Sequence, residues 1–315
     1  MKRLRPMFVV LASFVALGAT ASAQRQVPQL PTFHSAINVV ALNVTVQDNA
    51  AKYISGLKPD DFAVFEDGVR QDVRFCESDS VPVDLIVLLD TSASMTDKIN
   101  LVREAADGFL ATLRTGDRGA VVAFNDNVNV LQPLTDDRQA LGRAVASAHA
   151  HGSTALDDAI YISLKEFGRA AQQNGQVRRQ AIAVLSDGED TSSLVAFDDV
   201  LALARKMAVN IYTVALQSPF EIKRTKEETG RRYLSEADYS MKTLARETGG
   251  LSFFPSVKDL KTVYGTIAQE LAHQYSIGYV PANPQLDGRF HRILVQIISR
   301  PDLRPRTRLG YTDSN

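Results

Sequence analysis

The chain has 315 residues, 45% of them hydrophobic and 23% charged, which is the balance of an ordinary globular protein with room for one large or two medium domains. Its 35 basic and 36 acidic residues leave a formal net charge of -1, so nothing in the charge balance points to a nucleic-acid surface. A single cysteine, Cys76, excludes an intramolecular disulfide, and its place in an alternating strand pattern suits a buried or half-buried structural thiol.

Taken in chain order, the first 23 residues read as a secretory signal. Lys2, Arg3 and Arg5 give a basic start, residues 7–19 are apolar, and Ala21-Ser-Ala23 supplies small cleavage-site residues. The apolar run is short for a membrane span, and no later stretch is long and apolar enough to cross a bilayer. Residues 24–35, with Pro28 and Pro31, read as an extended leader. Residues 36–76 then look all-β. A β-branched run from Ile37 to Val46 and a hairpin turning at Asp67-Gly68 carry that expectation.

The texture changes at Val81-Pro82. Strands are expected at 85–89, 119–124, 180–185, 210–216 and 251–254. Helices are expected at 98–113, 138–150, 156–170, 197–207, 241–248 and 257–273. This alternation predicts an α/β fold, a doubly wound and mostly parallel sheet with helices on both faces. The charged stretch 217–240 interrupts it, as a solvated loop, an extra helix or a partner-contacting insertion. Strands at 274–280, 290–299 and 306–311 close the chain. The expected organisation is a signal at 1–23, a β-rich segment at 24–80, the α/β domain at 81–272 and a β-rich segment at 273–315. The last segment is expected to pack with 36–80 as a small β-sandwich; two unrelated flanks are the alternative.

Three segments carry chemistry. Residues 85–89 are five apolar residues that run into Asp90-Thr-Ser92-Ala-Ser94, a carboxylate and two hydroxyls at alternate positions on one loop. His151-Gly-Ser-Thr154 presents a hydroxyl at a helix start, with Asp157 three residues on in a pattern like a capping box. A second apolar strand ends in Ser186-Asp187-Gly188. The carboxyl ends of parallel strands share one edge, where ligands bind, so Asp90, Ser92, Ser94, Thr154 and Asp187 should converge there. Hard oxygen donors suit Mg²⁺, Mn²⁺ or Ca²⁺ and suit zinc poorly. Taken singly, each residue also has an ordinary role: Asp90 as a turn cap, Ser92 and Ser94 as turn residues, Thr154 as an N-cap, Asp187-Gly188 as a turn.

This set resembles the von Willebrand factor type A domain with its metal-ion-dependent adhesion site, over roughly residues 83–272. Gly56-Leu-Lys-Pro-Asp-Asp-Phe-Ala-Val-Phe-Glu-Asp-Gly68 and Gln274-Tyr-Ser-Ile-Gly-Tyr279 also resemble a bacterial subgroup of secreted proteins. The resemblance implies that Ser92 and Ser94 bind the metal directly. It has Thr154 bind directly or through water, and Asp90 and Asp187 act through waters. A Glu or Asp of a protein partner would take the sixth position. It implies an exported adhesion or binding module, periplasmic or secreted, with Mg²⁺ as cofactor (Mn²⁺ or Ca²⁺ also fit), and not an enzyme. The alternative is an envelope structural or assembly subunit working through its β-rich flanks. A phosphohydrolase of the aspartyl-phosphate kind would want a second Asp two residues after Asp90, where Ser92 stands. His149 and His151 face apart and read as exposed.

Overall fold

The five apolar residues after Asp84 are flanked by turn signals and sit on both faces of a sheet, so the strand they form must be covered twice. In the computed structural model, β5 (Val83–Asp90) is buried at all eight positions. The structure describes residues 39–78, 81–174, 178–187, 190–216, 235–282 and 288–313, all within one unit, Ile37–Asn315. The expected signal (1–23), the leader (24–35) and residues 217–234 of the charged stretch lie outside the described residues.

Around β5 lie β6 (Arg118–Phe124), β7 (Val128–Thr135), β8 (Arg179–Ser186), β9 (Val209–Ala215) and β10 (Ser252–Phe253), in the order β10-β9-β8-β5-β6-β7. All neighbours are parallel except β6 and β7. The helices are α1 (Ile99–Leu110), α2 (Arg138–Ser147), α3 (Leu156–Asn174), α4 (Phe197–Lys206), α5 (Glu236–Thr248) and α6 (Leu260–Ala272). Period-2 alternation along β5 splits the core in two. Leu85, Val87 and Leu89 meet α1, α2 and α6 through Val102, Phe109, Leu141 and Ile267. Ile86 and Leu88 meet α3, α4 and α5 through Ile160, Phe167, Val200 and Leu244. The α/β, doubly wound class read from the sequence is the one adopted.

The flanks form two further four-stranded sheets, β13-β1-β11-β4 and β14-β12-β2-β3. Their strands are β1 (Val40–Gln47), β2 (Phe62–Glu66), β3 (Val69–Gln71), β4 (Val73–Glu77), β11 (Tyr275–Tyr279), β12 (Phe290–Ile297), β13 (Arg304–Arg306) and β14 (Gly310–Thr312). Each sheet mixes strands from both ends of the chain: β1 pairs with β11 and β13, and β12 with β2. Val44, Val46, Phe62, Val64, Tyr275, Ile277, Val295 and Ile297 share one core between the sheets. The β2–β3 hairpin turns at Asp67 (φ 49°) and Gly68 (φ 84°), the double positive φ of a two-residue turn that matches strand twist.

One expectation needs correction, and two features lie beyond what the sequence pattern signals. After the Asp67-Gly68 turn the chain divides at Asp72 into β3 and β4, which join different sheets. The last strand divides into β13 and β14, also on different sheets. Edge strand β7 has no regular apolar alternation and contains Pro133, which suits an edge rather than a central strand.

Candidate metal site

Asp90 ends β5 and Ser186 ends β8, and the parallel register Leu89↔Leu185 brings these two ends side by side. Asp90 is fully buried. Its Oδ1 accepts from the Ser92 amide at 2.8 Å and its Oδ2 from Ser186 Oγ at 2.6 Å. Burial raises its carboxyl above the ordinary carboxylate range. The hydrogen bonds from Ser186 and Ser92 work against that rise, and the charge of Asp187 adds to it. The Ser92 and Ser94 hydroxyls lie 3.0 Å apart, and Ser94 Oγ donates to Asp187 Oδ1 at 2.7 Å. Asp187 Oδ2 pairs with the Lys98 ammonium. Four of the five expected residues therefore form one hydrogen-bonded chain.

Thr154 reaches the same edge by a different route. The 151–154 turn is tied to the 91–93 loop by His151 N–H to Thr91 O (2.7 Å) and Ala93 N–H to Gly152 O (3.0 Å). Gly152, at φ 76°, lies so close to Asp126 that an added Cβ would stand 2.2 Å from its Oδ2. Thr154 is buried, and its amide donates to Thr191 Oγ1 at 3.0 Å. The capping-box expectation is not met: α3 starts at Leu156, and the Asp157 and Asp158 amides donate to Asp190 and Ser193. The cap thus comes from the loop after β8. Asp157, crowded by burial and by the charges of Asp190 and Asp158, has its carboxyl pushed up to about 6.

The donor set can be tested for fit. Six oxygens at about 2.1 Å around Mg²⁺ stand about 3.0 Å from their neighbours along an octahedral edge. The Ser92–Ser94 hydroxyl separation equals that edge. Two carboxylates flank the hydroxyls, and one of them already takes a cationic partner. The residues present fit a hard divalent ion.

Ser186 and Lys98 were not singled out in the sequence. The register of β8 on β5 could have found Ser186; nothing local signals a lysine 89 residues from its partner. His151 lies beside the loop, its Nε2 3.1 Å from Asn125 Nδ2. A second group, Glu66, Asp67 and His291, lies in the flanking sheets. His291 Nδ1 stands 2.9 Å from Asp67 Oδ2, and Glu66 Oε2 accepts from Tyr279 OH at 2.6 Å. These atoms serve the β2–β3 hairpin and the sandwich core, so the group reads as structural. Cys76 is half-buried in that core, and burial pushes its thiol up to about 11.

A profile of the von Willebrand factor type A domain matches residues 84–261. An uncharacterized protein of Borreliella burgdorferi is 28% identical over 197 residues, covering 57% of this chain and 55% of that protein. The human voltage-dependent calcium channel subunit alpha-2/delta-4 is 27% identical over 143 residues, 41% of this chain and 12% of the subunit. The chain thus spans about half or less of the length of these relatives. A solved von Willebrand factor type A structure from Catenulispora acidiphila superposes over 90% of this chain and 76% of its own, with a TM-score of 0.50 at 14% identity.

Proposed function

Because the chain belongs to the von Willebrand factor type A family, we propose that it is an exported binding module whose carboxyl-edge site holds a divalent cation and captures an acidic group of a protein partner. The family commonly mediates protein–protein adhesion. The observation that carries the reading is the pair of hydroxyls 3.0 Å apart, linked through Ser94 to Asp187 and beside a buried Asp90. Ser92 and Ser94 would hold the ion, with Thr154 completing the set, while Asp90 and Asp187 would act through waters. An ion held by neutral hydroxyls keeps most of its positive charge and can take a carboxylate as a further ligand. Mg²⁺ is the expected ion; Mn²⁺ and Ca²⁺ accept the same oxygens. Export rests on the basic, apolar and small-residue pattern of residues 1–23, and leaves the chain periplasmic or secreted.

The test is capture of envelope or matrix proteins in Mg²⁺, in EDTA and with Asp90→Ala. The reading expects capture in Mg²⁺ only, and only by the native chain. Equal capture in EDTA would contradict it.

One observation favours a second reading, assembly through the flanks. The outer face of β12 exposes Phe290, Leu294 and, just beyond the strand, Ile298. Phe290 and Leu294 line a groove of about 770 Å³ with Phe65 and Leu309. Loss of capture on Leu294→Asp with Asp90→Ala unaffected would favour that reading.

A further inference from the structure

Lys98 stands where local rules argue against it. It directly precedes α1 with helical backbone (φ -104°, ψ -21°), and its side chain makes no cap bond to the helix. A cation there also opposes the positive end of the helix. Its side chain instead turns to Asp187, whose carboxylate is only 2% exposed while the lysine side chain is 23% exposed. With Ser94 on Oδ1 and Lys98 on Oδ2, both oxygens of Asp187 are engaged. A cation placed against the helix dipole, whose side chain instead neutralises a buried carboxylate at a candidate ion site, is serving that site.

We propose that Lys98 is an internal counter-cation of the metal site. Its ammonium holds Asp187 in the metal-free chain and competes with the divalent ion, so it sets the ion concentration at which the site loads. This rests on the metal reading above and adds a residue that reading does not use. The flexible stem of lysine suits the task, since a compact ammonium can withdraw to solvent without moving the helix that carries it.

The test is calorimetric titration of the full chain with Mg²⁺ and Mn²⁺, alongside thermal unfolding in EDTA and in saturating Mg²⁺. The proteins are the native chain, Lys98→Met, Lys98→Arg and Asp90→Ala. Lys98→Met should bind the ions about tenfold more tightly, or about 1.4 kcal/mol. It should unfold at lower temperature than the native chain in EDTA, because Asp187 loses its partner, and the deficit should vanish in Mg²⁺. Lys98→Arg should stay near the native chain in both. Unchanged affinity in Lys98→Met, or the same deficit with and without Mg²⁺, would overturn the proposal. The metal reading would then stand, provided the native chain binds and Asp90→Ala does not. Absence of ion binding in the native chain and in Lys98→Met would sink the metal reading and this inference with it.

Discussion

At the scale of single residues, two carboxylates at this end of the sheet are perturbed, Asp90 in the candidate site and Asp157 at the start of α3. Asp90 and Asp157 both have raised carboxyls, chiefly from burial. A carboxyl whose folded pKa exceeds its unfolded value binds more protons when folded. Its contribution to stability is therefore present at low pH and lost as pH rises through the folded pKa. For Asp157 the window runs from 3.8 to about 6. Asp157→Asn should raise the urea midpoint at pH 7.5 in chelator, where the native carboxylate is charged and repelled by Asp190 and Asp158. The gain should shrink towards pH 4. An equal gain at both pH values would assign the effect to packing. Cys76 gives a second prediction at this scale. A thiol raised to about 11 is almost wholly protonated at pH 7.5, and the thiolate is the reactive form. Labelling by a thiol reagent should be slow in the native chain and rapid in denaturant; fast native labelling would show the thiol to be more open than its setting implies.

At the scale of elements, the sequence was most readable where burial is two-sided. The runs 85–89 and 181–185 announced central parallel strands because they are apolar at every position. The same logic failed at the margins. The edge strand β7, VNVLQPLT, mixes apolar and polar residues without a period of two and carries Pro133, so it has no regular strand signature. β3 and β4 follow one alternating pattern, but that pattern cannot say which sheet each will join. In the site, Asp90, Ser92 and Ser94 were legible as one loop. Ser186 was not, because its partner is set by the register of β8 on β5, and Lys98 was not, because its partner lies 89 residues away with no local signal. The fastening of α6 was equally hidden. Glu270, fully buried, accepts from Tyr212 OH at 2.7 Å, and its Oε2 lies 2.5 Å from Arg306 Nη2 on β13. Breaking a buried ion pair leaves a charge uncompensated, so Arg306→Met should cost about 2–3 kcal/mol, discounted from the usual range because Arg306 is partly exposed. The exposed pair Lys261–Glu104 should matter far less, under about 1 kcal/mol for Lys261→Met. Urea unfolding of both variants checks the contrast; equal losses would mean that Arg306 does not hold a buried charge.

At the scale of the whole molecule, the two ends of the central sheet do different work. The flanking strands join it at the amino ends of β8 and β9. There Asn43 donates to Asn210 Oδ1 at 2.6 Å, and Arg179 donates to Leu271 and Gln274 carbonyls at 3.0 and 3.1 Å. The candidate site lies at the opposite, carboxyl edge, so the β-rich flanks can brace the domain without covering the place where a partner's carboxylate would arrive. The central claim is that this edge holds a divalent ion. An ion that binds only the native state adds RT ln(1 + [L]/Kd), about 2.7 kcal/mol at 100 times Kd. The most direct measurement is thermal unfolding of the native chain and of Asp90→Ala, each in EDTA and in millimolar Mg²⁺. The account predicts a rise in Tm with Mg²⁺ for the native chain and none for the variant. The same response to Mg²⁺ in both proteins would contradict it.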